Sequence, residues 1–257
     1  MPPCAPPFAI SAAAMEARRL LPSLRDGGAD AATVLAFCGA LRVSAVGKLL
    51  LTGRPRELFA DLERSGQAFA HFVARGGAVP TGLSRPFFDA VACGDTATAA
   101  TIAGNTPRAF QRGKEYEDDF LHLRFLMDLA SAPSRPAAEP LARWQTIAEG
   151  PDPRLDCCLA LDVGDAAALD RALRAMVDAD RTADAGLAAE GRLDPDEAVT
   201  TVHVHVEGLA IVRLATQRGI PVAGELPRVP SLARRVDLRT PLTADAWRHI
   251  EDLGFVA

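Results

Sequence analysis

The chain is predicted to be all-α, with stacked antiparallel helical hairpins forming an irregular, helical-repeat-like array. Three observations point there. Aromatic residues make up only 5% of the 257 positions while alanine is abundant. That composition suits closely packed helices better than a β-sandwich, which needs more β-branched and aromatic side chains. Apolar residues reach 49%, enough for a substantial core and too many for general disorder. Finally, capping residues and glycine stops recur at helical spacing along the chain.

Ser11 is placed to cap a first helix running to about Arg25, with Pro22 bending or ending it. Asp30 caps a second helix that reaches about Leu51 and stops at Thr52-Gly53. Pro55 suits the first turn of a third helix, which carries Leu58, Leu62, Phe69 and Phe72 until Gly76-Gly77 closes it. Residues 78–84, with Pro80 and Gly82, read as a linker. Phe87 to Cys93, the turn Gly94-Asp95 and Thr96 to Ala103 form a helical hairpin. A central helix is expected from about Glu115 to Ser131, then a linker over Ala132 to Pro136, then a helix from about Leu141 to Glu149 that contains Trp144. A second hairpin follows: Leu155 to Val163, the turn Gly164-Asp165, and a long helix through about Arg181. In both hairpins glycine ends one helix and aspartate caps the next. Asp194-Pro195-Asp196-Glu197 is a strong helix start, and that helix is expected to run unbroken to Gln217 and stop at Gly219. The tail from Ile220 to Pro230 should wrap the surface, and a last helix is expected around Thr243 to Leu253, carrying Trp247. In domain terms, 1–77 reads as an N-terminal helical segment packed on a main all-α body of 78–257.

A net charge of −5, with dispersed arginines, argues against a nucleic-acid binder, which would show a basic stripe. The five cysteines are odd in number and lack a CxxC pair, so they suggest small buried hydrophobes in a reducing compartment. The N-terminus lacks the pattern of a secretion signal, and no run of about 18 uncharged apolar residues occurs. A cytoplasmic location with no membrane partner is the expectation.

The stretch from Lys114 to Met127 is the most informative in the chain. On a helical wheel, Tyr116, Phe120, Leu123, Met127 and Ala130 share an apolar face, while Glu115, Asp118, Asp119 and His122 oppose it at a water-facing N-terminal end. The acidic ledge Glu115, Glu117, Asp118 and Asp119 admits three readings. Acids in a first turn complement the helix dipole, clustered charge can meet a basic partner, and paired carboxylates can hold Mg²⁺ or act as acid and base. His203-Val-His205-Val-Glu207 would be a metal set on a strand. In the expected helix only His203 and Glu207 share a face, so a hydrogen-bonded histidine is the better reading and no metal or cofactor is expected. Nucleophile-elbow, P-loop, dinucleotide and HExxH motifs are absent.

Taken in order, Phe87-Phe-Asp-Ala-Val-Ala-Cys-Gly-Asp95, Glu115-Tyr-Glu-Asp-Asp-Phe-Leu121, Leu161 to Asp180, Glu207-Gly-Leu-Ala-Ile-Val-Arg-Leu-Ala215, Arg218-Gly-Ile-Pro-Val222 and Leu226-Pro227 resemble immunity-protein family 49. The resemblance covers about Pro86 to Arg235. It implies a mostly helical, non-enzymatic antitoxin of a bacterial polymorphic-toxin system, which binds a cognate toxin and blocks it by occlusion. Many such toxins are basic nucleases, so Glu115, Glu117, Asp118, Asp119 and His122 become the expected partner-binding residues. The alternative is a helical-repeat adaptor that binds a peptide or protein, for which three or more equal repeats would be needed; two unequal ones are found.

Overall fold

The computed structural model describes residues 5–131, 138–222 and 224–253, and among these the regular structure is helical with no strand. Three long helices come first: α1 (Pro6–Arg25), α2 (Ala31–Thr52) and α3 (Pro55–Ala74), each packed along the next. Their ends follow local chemistry. The Asp30 carboxylate accepts the Thr33 N–H at 2.7 Å. Gly53 stops α2 in the left-handed region at φ 67°, where a side chain would be strained. Ser11 is not a cap. Its hydroxyl donates to the Pro7 carbonyl inside α1, and the helix starts earlier because prolines in a first turn have no N–H to leave unpaired.

Helix α3 is the axis of the protein. Leu58, Phe59, Leu62 and Phe69 are fully buried, and so are Asp61, Glu63, Ser65 and Gln67. One side faces α2, and the other faces α4 (Pro86–Ala92) and α5 (Thr96–Asn105). Gly66 permits the close crossing, because a Cβ there would lie 2.9 Å from the Ala90 Cβ. The buried acids are matched in kind: Asp61 binds Lys48 at 2.8 Å and Arg64 at 3.1 Å.

Next come α6 (Glu117–Ser131), α7 (Ala138–Ile147), α8 (Pro153–Val163), α9 (Ala166–Ala189), α10 (Pro195–Ala198) and α11 (Val206–Gln217). The Asp95 and Asp165 caps and the turns at Gly94 and Gly164, φ 80° and 77°, occur where expected. In α9 the first half buries Leu169, Leu173, Met176 and Val177. The second half is largely exposed and forms an arm. One cluster of buried apolar side chains runs from Ala9 to Leu253 through every long helix. Helix α2 is long and apolar enough to cross a membrane by length and composition, but 67% of its most apolar window is buried within the protein.

Four further expectations are corrected, and the linker expected at Ala132 to Pro136 lies outside the described residues. First, the central helix starts at Glu117, so Glu115 and Tyr116 precede it. Tyr116 is therefore not on its apolar face and is 78% exposed. Second, His122 is buried rather than water-facing, because α4 and α7 cover that side with Phe88 and Trp144, whose rings lie 6.0 and 5.4 Å from the imidazole. Third, the helix expected from Pro195 to Gln217 is broken between Val199 and His205. The β-branched run there holds helix poorly, and His205 restarts it as a cap, its Nδ1 accepting the Gly208 N–H at 2.8 Å. Fourth, the last segment forms only a single 3-10 turn, Ala246–Arg248. Three of its carbonyls bond to α1: Arg18 donates to those of Glu251 and Leu253 at 2.9 and 2.5 Å, and Arg25 to that of Arg248. Trp247, Ile250 and Leu253 are buried by this docking. Upstream, Arg239 clamps the buried Glu63 with two bonds of 2.7 and 2.8 Å.

Candidate functional site

The ledge at the start of α6 is built from three different surroundings. Glu115 is held inward, its carboxylate accepting the N–H groups of Gly82 at 2.5 Å and Gln111 at 2.9 Å. Glu117 pairs with Arg143 at 2.7 Å. Asp118 and Asp119 share Arg154, the second residue of α8, at 2.7 and 2.6 Å. Burial works against the Arg154 charge, but the hydrogen bond to Asp119 and the neighbouring carboxylates outweigh it and raise its pKa above the ordinary arginine value. The ledge is therefore a surface of alternating charge, with Tyr116 standing out beside it, and not a bare row of acids.

Arg154 also lines a cleft of about 450 Å³ walled by α2, α4, the α9 arm, α10 and the start of α11. This is where the three members of the His-x-His-x-Glu stretch separate. His205 pairs through Nε2 with Asp180 of the arm at 2.5 Å. Burial opposes ionisation of Asp180, but that bond together with the charges of His205, Arg228 and Arg154 outweighs it and holds the carboxyl below its usual range. Glu207 points toward His122, 3.6 Å from its Nδ1. His203 lies exposed on the other side. Burial lowers the pKa of His122 and keeps the ring neutral, the charge of Glu207 only partly offsetting this. Arg42, on the opposite wall, binds the fully buried Asp89 at 2.7 Å, and Ser65 donates to the same carboxylate at 2.6 Å. Arg228 reaches Asp184 of the arm at 2.9 Å.

The structure thus brings Glu117, Asp118 and Asp119 together at the surface, ties Glu115 into a loop and buries His122. The bases that organise this region, Arg42, Arg143, Arg154 and Arg228, carry no sequence signal. Arg154 lies 35 residues from Asp119 and Arg42 lies 47 from Asp89, so no local spacing reveals either pair. Cys38, Cys93, Cys157 and Cys158 are free and buried. Desolvation pushes the Cys38 thiol up to about 12 and raises the other three as well, which leaves them poor nucleophiles.

No curated protein and no solved structure matches the chain. A family model, that of immunity protein 49, matches residues 58–232. The match takes in most of α3, the ledge, the charged cleft apart from its α2 wall with Arg42, and α11, which is more than half of the sequence. The chain belongs to the immunity protein 49 family.

Proposed function

We propose that this protein binds a cognate toxin in the cytoplasm and neutralises it by covering its working surface, without catalysis of its own. The family match over residues 58–232 carries this reading. The rigid helical body supports it, since a surface set by one continuous core can occlude a partner without rearranging. The contact surface we assign is the ledge, namely Tyr116, Glu117 and Asp118, with Asp119 behind them holding Arg154. Tyrosine offers large contact area at little entropic cost, and alternating charge selects a partner of complementary pattern. His122 is too deeply buried to touch a partner, and Glu115 acts by shaping the loop that presents Tyr116.

Co-expression with the toxin encoded next to this gene tests the reading: growth should be restored, and persistent killing despite verified expression of both proteins would overturn it. Within a confirmed pair, Tyr116→Ala combined with Glu117→Lys should weaken binding by about tenfold or more and change its salt dependence. Unchanged affinity and salt dependence would remove the ledge from the interface.

A further inference from the structure

Arg228 is the only residue other than glycine with positive φ, 57°, among the described residues. A long side chain in the left-handed region is strained, and such strain persists only where surrounding contacts enforce it. Here the enforcing contact is visible, because the His205 N–H donates to the Arg228 carbonyl at 2.6 Å. That bond fixes the Arg228 backbone against the cap of α11 and sends its guanidinium toward the charged cleft. Only Nη2 finds an acceptor there, Asp184 at 2.9 Å. Nε and Nη1 are buried with no hydrogen-bond partner among the described residues. Unmatched buried donors are expensive, more so when charged, and two on one strained residue mark a place built for an acceptor.

The rest of the lining is consistent with this. Arg85 borders the same cleft and makes no ion pair among the described residues, although it lies within electrostatic range of Glu197. Arg42 and Arg154 line it too, but each is already matched, by Asp89 and by Asp118 with Asp119. The cleft also carries four carboxylates, of which Asp180 and Asp184 are paired, while Glu207 Oε1 is buried with no hydrogen-bond partner and Glu197 makes no ion pair among the described residues. Asp180 serves His205 and Asp184 serves Arg228. Glu207 lies beside His122 and within the fields of Arg42 and Arg154. Glu197 lies within the fields of Arg85 and Arg42. Among the buried side-chain atoms that line the cleft, the two unpartnered donors, Arg228 Nε and Nη1, outnumber the one unpartnered acceptor, Glu207 Oε1.

We propose that the cleft between α2, α4, the α9 arm and the start of α11 binds an anionic group, a carboxylate or a phosphate, on the Arg228 guanidinium with Arg85 as the second contact. This goes beyond the toxin reading and does not depend on it, since it concerns a site on the free protein. Binding is measured on the full chain by thermal unfolding in sodium phosphate, sodium succinate and arginine amide, each against chloride of equal ionic strength. Phosphate or succinate should raise the melting midpoint progressively with concentration, as for a ligand that binds only the folded state. Response to phosphate alone would assign a phosphoryl ligand, and response to both would include carboxylates. Arg228→Gly, which accepts the positive φ without strain, should fold and lose the response. Arg228→Asn, also tolerated there, provides a second variant should the glycine form be unstable, and Arg85→Ala should weaken the response about tenfold or more. The proposal is overturned if neither anion exceeds chloride, if the Arg228 variants respond like the parent protein, or if only arginine amide stabilises.

Discussion

Asp89 carries a carboxylate with no exposure at all, made tolerable by Arg42 and Ser65. Burial raises its pKa, and the Arg42 charge and hydrogen bond offset only part of that rise. Removing one partner of such a pair leaves an uncompensated buried charge, which typically costs about 3–5 kcal/mol. Arg42→Met should therefore lower unfolding stability by about that amount in denaturant titrations. Arg143→Ala, which breaks a pair more than half exposed on the arginine side, should lower it far less. Similar losses for both variants would mean that the buried network is not what holds α2 to α4. His122 gives a pH signature. Its folded pKa lies below the ordinary 6.5, so the unfolded chain takes up a proton first. The corresponding stability is complete well above pH 6.5 and declines as the pH falls through 6.5 toward the folded value. His122→Phe should flatten that decline between pH 7 and 5.5 whatever its stability at pH 7. A variant with the parent slope would exclude His122 as the titrating group.

At the level of elements, α9 divides in two. Its first half buries four large apolar side chains, whereas the arm is tied down chiefly by His205–Asp180 and Arg228–Asp184. Hydrogen exchange should be fast in amides 179–189 and slow in 169–177, and Asp180→Ala should accelerate the arm further. Equal protection of the two halves would refute this division. What was legible in the sequence follows the same divide between local and distant causes. Asp30, Asp95 and Asp165 announce helix starts, and Gly53, Gly94 and Gly164 announce stops, because both effects act within one turn. The acids of the ledge were legible as a group, but their arginines were not. The breaks at residues 199–205 and in the final segment escaped notice because a weak local preference, the β-branched run in the first case, is completed by distant contacts: the Arg228 carbonyl there, the α1 arginines in the other. Tyr116 was misplaced by a helix start only two residues off, which is enough to turn a side chain from core to solvent.

For the whole molecule, the shared apolar cluster argues that residues 1–77 and 78–257 stand or fall together. Trp144 packs beside α6 and Trp247 packs under the tail against His71, so single-tryptophan variants W144F and W247F report on separate regions. Their denaturation midpoints should coincide, as two-state behaviour requires, and clearly separated midpoints would reveal two units.

Arg18 waits for a carbonyl 235 positions further along the chain. During synthesis, which proceeds from the N-terminus, the first helix leaves the ribosome long before the groups that will seat it exist. Until the closing residues arrive, its inner stripe of alanine and leucine is covered by α2 and, once made, by α10. A transcript cut short in that interval would yield a polypeptide whose beginning, not merely its end, is left open to degradation.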